Sequence, residues 1–245
     1  MNFLIVGGGC YGTFYTRQLL RGADRLGIEE IHVVDHDPQC QTVREFGSQK
    51  KEEGGRLVFH FEDWRVFLEK YFTDLLQRYE RGESVTEHYA PPCLAPHILF
   101  ELFLEKARRD LPGIRFSQKP FLENVGTPLD LSLPTGNRAL SFATWTCPHS
   151  CIEPPTCPHT RGPKDWDMKT YLTDYFREGS VPIDSLHFFQ CLHYAMGVGT
   201  IPMKSVVEEY IKFREVVRVP GTHLSAMATV SSCHGLLGLV ESSHG

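Results

Sequence analysis

The 245-residue chain has no excess of basic charge: 25 Lys and Arg stand against 30 Asp and Glu, a formal net charge of -5. Without a positive face, the electrostatic drive behind nucleic-acid and anionic-membrane binding has no source, which excludes DNA, RNA and lipid surfaces as main partners. Nowhere do ~20 consecutive apolar residues occur, the length needed to span a bilayer. The opening Met1-Asn2-Phe3-Leu4-Ile5-Val6-Gly7 lacks the basic region, long apolar stretch and cleavage site of a secretory leader, so a cytoplasmic location is expected. Neither G-x-S-x-G nor a P-loop Gly-Lys-Ser/Thr is present, against serine hydrolase and P-loop NTPase chemistry. Long repeats and low-complexity segments are absent as well.

What remains is the balance of a globular chain, 41% hydrophobic and 22% charged, long enough to bury its own core without disulfide staples. Its eight cysteines, with no export signal, read as metal, redox or buried residues. Five are dispersed, whereas Cys147, Cys151 and Cys157 share one short loop.

Strands and helices alternate along the sequence. The apolar run Phe3–Val6 suits a strand covered on both faces, and a helix follows with a stripe at Tyr11, Phe14, Tyr15, Leu19 and Leu20. A second strand is expected at Ile31–Asp35, a short helix after Pro38, and a third strand at Leu57–Phe61. Trp64, Phe67, Leu68, Tyr71, Phe72, Leu75, Leu76 and Tyr79 then repeat at helical spacing, which reads as a core stripe rather than a cofactor box. Next come a weak strand over Ser84–Ala90, a helix from Pro96 to Arg109 and a fifth strand at Ile114–Phe116. Gly126, Pro128, Pro134 and Gly136 break the periodicity between Asn124 and Asn137, dividing the chain into residues 1–123 and 138–245. Beyond the break, strands are expected at Ala139–Trp145, Ser185–Tyr194 and His223–Ser231, with helices at Asp167–Phe176 and Lys204–Val217. Alternation of this kind argues for a parallel sheet wrapped on both faces.

Gly7, Gly9 and Gly12 fit G-x-G-x-x-G between strand and helix. The first permits a tight turn, the second lets backbone approach a pyrophosphate, and the third lets helix and strand pack closely. Asp35 ends the following strand, where a carboxylate can accept hydrogen bonds from a ribose diol. The same carboxylate repels a 2′-phosphate, favouring NAD over NADP, with Arg44 able to fold back for NADP. On these residues the N-terminal half resembles the Rossmann-type NAD(P)-binding superfamily. The implied fold class is α/β, a Rossmann-like doubly wound parallel sheet followed by a smaller α/β region with a cysteine-rich loop. Pro91-Pro92, His97 and Lys119-Pro120 also follow in the order seen in NAD domains of the glucose–fructose oxidoreductase type, although Gln118 replaces that family's Glu. By this resemblance His97 and Lys119 are candidate catalytic residues beside a nicotinamide. Cys93 joins them because its loop leaves the carboxyl end of a strand, where open α/β sheets place ligands; it can equally be an apolar filler.

The segment 145–160 holds a short duplication, Cys147-Pro148-His149-Ser150 and Cys157-Pro158-His159-Thr160, with Cys151 between them. Thiolate and imidazole suit zinc, and cysteine sets suit iron–sulfur clusters. The spacing C-x3-C-x5-C lacks the paired C-x2-C of common zinc modules, so metal, reactive thiols and a structural loop all remain open. A fourth ligand is sought in Cys233 or His234, which follow an expected strand and would reach the same sheet edge through parallel pairing, or in His149 or His159. Arg161, Lys164 and Asp165 before Trp166 read as an anion-binding patch or as ordinary solvated charges. Gly197-Val198-Gly199 reads as a plain turn before a close approach to ligand.

Two functions follow as expectations. One is an NAD(P)-dependent oxidoreductase with a small-molecule substrate and a metal or thiolate in its cysteine loop, with homo-oligomer formation left open. The other is a non-catalytic nucleotide-binding sensor in which that loop is a switch or clip.

Overall fold

In the computed structural model, which describes residues 1–53, 55–91, 96–148, 151–179, 181–195 and 197–245, the first apolar run forms β1 (Asn2–Val6). It feeds α1 (Cys10–Leu26), which ends on Gly27 in the left-handed conformation at φ 61°, the usual glycine stop. Then follow β2 (Glu30–Val34), α2 (Gln41–Phe46), β3 (Leu57–His60), α3 (Trp64–Glu80) and β4 (His88–Ala90). The remaining elements are α4 (Ile98–Asp110), β5 (Ile114–Lys119), β6 (Leu129–Ser132), β7 (Arg138–Ser141), α5 (Met168–Arg177) and β8 (Ser185–Gln190). The chain closes with β9 (Leu192–Ala195), β10 (Val198–Pro202), α6 (Met203–Val217), β11 (Thr222–Val230) and β12 (His234–His244). Among the described residues no helix is long and apolar enough to cross a membrane.

The chain divides into two compact units. The first comprises Met1–Pro96 and Leu192–Val207, the second His97–Cys191 and Glu208–Gly245.

The first unit holds a six-stranded sheet in the order β3-β2-β1-β4-β10-β9. Its first four strands run parallel, with Phe3 opposite both Ile31 and His88, and β10 joins antiparallel to β4. Side chains alternate across the sheet. Phe3, Ile5, Ile31 and Val33 meet Tyr15, Leu19 and Ala23 of α1 on one face. On the other face the His60 and Phe67 rings lie 4.4 Å apart and His32 faces Tyr71, so α3 covers the opposite side. The aromatic stripe of α3 is core as expected: Phe67, Leu68, Phe72, Leu75 and Leu76 are buried.

The second unit is built on a sheet of order β6-β7-β12-β11-β8, with β5 also paired to β12. β8 is parallel to β11 and the other pairs are antiparallel. Met168, Leu172 and Phe176 of α5 pack with Ala226, Ala228, Leu237 and Leu239 on one face. On the other, Phe189 of β8 meets Phe103 of α4, which also meets Tyr210 of α6. Asp130 and Arg138 form a buried ion pair across β6 and β7.

Both sheets are therefore mixed, and the protein is α/β. Three local expectations are corrected. The strand at 114–116 extends no parallel sheet but runs antiparallel to the second half of β12, with Phe116 opposite Ser242. The expected single strand at 185–194 is two strands in different sheets, parted at Cys191, whose N–H still bonds Val230 O at 2.7 Å. β6, β10 and β12 are additional strands. β12 carries Gly235 and Gly238, which weaken intrinsic strand preference. Tertiary packing requires the second of these, since a Cβ at Gly238 would meet Asn137 Oδ1 at 2.5 Å and Phe100 Cε2 at 2.7 Å.

Candidate functional site

The glycine loop sits between the carboxyl end of β1 and α1, at the centre of the parallel strands of the first unit. Gly7 has φ 89°, a conformation open chiefly to glycine, and its N–H bonds Val34 O at 2.8 Å. Space is open where a Cβ at Gly7 or Gly9 would stand, whereas a Cβ at Gly12 would lie 1.8 Å from Gly7 O. Gly12 is thus what allows α1 to start so close to β1. No side chain caps the α1 N-terminus at Gly9, and its first turn carries no acidic residue. The helix presents the positive end of its dipole without an internal counter-charge.

Asp35 follows β2 directly. Its carboxylate accepts the Gly8 N–H at 2.6 Å on one oxygen and the Asp37 N–H at 2.8 Å on the other. From the far side the Thr42 hydroxyl donates to Gly8 O at 3.0 Å and pairs with the Thr13 hydroxyl. The loop is fixed by bonds from three elements. Thr13 and Thr42 were not singled out by the sequence, because a lone threonine in a helix carries no signal until the loop it touches is known. Arg44 is exposed on α2.

Of the proposed catalytic residues, His97 and Lys119 belong to the second unit. His97 stands at the N-cap position of α4 without a side-chain capping bond and lies 3.8 Å from Glu101. Lys119 closes β5 and pairs with Glu241 of β12 at 2.8 Å. Cys93 lies outside the described residues, as does His149.

In the second unit, the cysteine loop and the β11–β12 turn are brought together. The pairing responsible is antiparallel, not the parallel arrangement expected: His234 of β12 lies opposite Ser141 of β7, and Phe142 N–H bonds Cys233 O at 3.0 Å. The Ser141 hydroxyl and His234 Nδ1 are 2.9 Å apart. Glu153 clamps the two segments, its carboxylate accepting from Ser231 Oγ, Ser232 Oγ and the Ser232 N–H. Lys164 donates to Glu153 O at 2.9 Å and to Ser232 Oγ at 2.6 Å, so this cation faces the clamp. Trp166 Nε1 donates to Cys233 Sγ at 3.3 Å. Glu153, like Thr13 and Thr42, is not singled out by the sequence. Its only signal was a carboxylate inside a proline-rich loop.

The sulfurs differ in environment. Cys157 sits in a tight turn closed by Cys157 N–H to Gly162 O and Arg161 N–H to Cys157 O, with Arg161 at φ 59°. Amides of Thr160 and His159, and then the Lys164 charge, hold the Cys157 thiol below its ordinary range. Cys151 accepts the Glu153 N–H at 3.4 Å. Burial instead pushes the Cys147 and Cys233 thiols up, reinforced at Cys147 by its neighbours Cys151 and Cys157. The His159 ring stacks on Trp145 at 4.5 Å. Among the described residues no three His, Cys, Asp or Glu side chains gather closely enough to hold a metal ion, and no disulfide links the cysteines.

No curated protein and no solved structure matches the chain. A family model does, over residues 100–243, which is more than half of the sequence and includes both the cysteine loop and the turn it meets. On that match the chain belongs to the family AF_1314_C, described as "Uncharacterized protein, C-terminal domain".

Proposed function

We propose that this protein is an NAD(P)-dependent oxidoreductase whose first unit holds the dinucleotide in a Rossmann-like manner and whose cysteine loop provides a redox-active thiolate. One observation carries the reading: a glycine whose Cβ would strike the loop carbonyl at 1.8 Å stands where the uncapped α1 N-terminus meets β1. That is the arrangement by which a helix N-terminus and a glycine loop receive pyrophosphate. The residues present fit the group. The space over Gly7 and Gly9 is free of side chains, the amides of the α1 N-terminus would bind the phosphates, and Asp35 would accept from the adenosine ribose. Both Asp35 oxygens already accept one backbone N–H each, which leaves each a lone pair for a hydroxyl and fixes the carboxylate in place. A carboxylate there favours NAD.

When bound, the dinucleotide supplies or accepts a hydride. The chain's own contribution on the second unit is Cys157, the thiol in the loop that backbone amides favour as thiolate. Cys147, Cys151 and Cys233 are further sulfurs in the segments that Glu153 clamps together, and their softness also suits zinc or an iron–sulfur cluster.

The test is titration of the purified, reduced protein with NADH and NADPH followed by nicotinamide fluorescence, then hydride exchange from deuterated NADH across carbonyl, imine and disulfide acceptors. Saturable NADH binding, weakened in Asp35→Ala, together with turnover lost in Cys157→Ser, is the expected result. No binding of either dinucleotide overturns the reading. Tight binding with no exchange to any acceptor overturns the catalytic part in favour of a nucleotide sensor.

A further inference from the structure

The segment that follows the cysteine loop contains a second feature, whose reading does not depend on dinucleotide binding. An open cavity of about 600 Å³ lies within the second unit, walled by Phe142, Trp166 and Tyr171 and edged by Asp165, Asp167 and Asp174. The three rings are fixed before any ligand arrives. Trp166 is held by its indole N–H on Cys233 Sγ, and Tyr171 by its hydroxyl on Val125 O at 2.9 Å. Phe142 lies between them, 5.4 Å from Tyr171 edge to face and 6.1 Å from Trp166. With the polar tips of the Trp and Tyr side chains turned to protein partners, the cavity is lined by aromatic carbon.

The charges around these rings are mostly negative, three carboxylates against one ammonium. Lys164 also lines the cavity, but its ammonium is directed to Glu153 O and Ser232 Oγ. The α5 N-terminus, which could have attracted an anion, is capped by Asp167, whose carboxylate accepts from Thr170 N–H at 2.9 Å and from its hydroxyl. Asp174 shares its charge with the exposed Arg177. Asp165 has no hydrogen-bond or ion-pair partner among the described residues. An anion would therefore meet three carboxylates and one ammonium already hydrogen-bonded to Glu153 O and Ser232 Oγ. A cation would meet carboxylates and aromatic rings together, the combination that recognises alkylated ammonium groups.

We propose that this cavity is a binding site for an organic ammonium ion, its alkyl surface against Phe142, Trp166 and Tyr171 and its charge compensated by Asp165, with Asp167 and Asp174 reinforcing the field. The assignment differs from both sequence readings of Arg161, Lys164 and Asp165, an anion-binding patch or ordinary solvated charges, because the Lys164 ammonium is directed to Glu153 O and Ser232 Oγ.

Isothermal titration of the full-length reduced protein at fixed ionic strength tests it, with choline as the cationic probe and 3,3-dimethylbutan-1-ol as its neutral isostere. Choline is expected to bind saturably, with the isostere at least about tenfold weaker. Asp165→Asn, whose parent side chain has no partner to lose, is expected to weaken choline about fivefold while leaving the thermal unfolding temperature unchanged. Equal affinity for the isostere, unchanged choline affinity in Asp165→Asn, or no saturation at millimolar choline overturns the proposal. Inorganic phosphate binding that is lost in Lys164→Met would overturn it in favour of an anion site. None of these outcomes depends on dinucleotide binding.

Discussion

Replacing Gly12 by alanine tests the link between the glycine loop and the start of α1. The new Cβ would stand 1.8 Å from Gly7 O, 2.9 Å from Gly7 C and 3.4 Å from Ile5 Cγ2. A backbone carbonyl cannot rotate aside, and the Gly7 peptide is held by its own N–H on Val34 O. The N-terminal turn of α1 must therefore retreat by roughly an ångström or more to reach ordinary van der Waals distance. Overpacking of this kind costs about 1–3 kcal/mol, and a backbone clash belongs at the upper end. For a chain of this size that corresponds to a fall of about 6–12 °C in the unfolding temperature, read by calorimetry. Gly9→Ala is the matched control. Gly9 has φ -78°, which alanine adopts freely, and its Cβ would meet nothing within 4 Å. A poorer helix cap and a less flexible unfolded chain act in opposite directions there, so stability should hold within about 1 kcal/mol. Its methyl would nevertheless occupy the space proposed for pyrophosphate, so NADH affinity should fall at least about tenfold. An unchanged unfolding temperature in Gly12→Ala would refute the packing argument. Wild-type NADH affinity in Gly9→Ala would refute the assignment of the space.

Further outcomes follow from the two units. With a small alkylating reagent and peptide mass spectrometry across a pH series, burial of Cys157 slows its labelling at every pH, but the midpoint of its rate profile should lie below those of Cys147 and Cys233, with that of Cys191, pushed up to about 12 by burial, the highest; a Cys157 midpoint above that of Cys147 would contradict the electrostatics. Asp130→Ala should cost about 3–5 kcal/mol in urea unfolding, since it strands the buried Arg138 guanidinium and removes the acceptor for Val125 and Gly126 N–H; a loss under 1 kcal/mol would show the pair is dispensable. His32 and His60 lie 3.0 Å apart nitrogen to nitrogen, amid Glu30, Lys51, Glu62, Tyr71 and Glu87, and burial is the main cause holding both below the ordinary histidine range. The unfolded chain thus binds more protons than the native one as pH drops through about 6.5. Urea midpoints should fall across that window and level off below the lowered native values, with a shallower slope in His60→Asn; a midpoint that rises on acidification would reverse the sign.

Local physics made the first unit readable. An apolar run followed by glycines needs no distant partner to declare a strand, a turn and a helix start, and the ends of β1, α1, β2 and β3 lie within a few residues of where periodicity puts them. The α3 stripe was legible because eight apolar residues at helical spacing can be buried only along one side of a helix. The cysteine duplication and the candidate partners Cys233 and His234 were likewise visible in composition and spacing.

Pairing was not. Nothing local in 192–202 says that β9 and β10 return to the first sheet, or that Ile114–Lys119 leaves it for β12. Strand identity of that kind is settled by which edges remain unpaired after the rest has packed, a non-local quantity. The same holds for the sites. Sequence supplied three clustered cysteines, but the antiparallel β7–β12 ladder brought Ser231, Ser232 and Cys233 to them, and Glu153 became the clamp only through that juxtaposition. Lys164 and Asp165 are neighbours of opposite charge in the chain. Only the tertiary structure turns one toward the loop and leaves the other at the cavity edge, because the ammonium found acceptors in Glu153 O and Ser232 Oγ and the carboxylate found no donor.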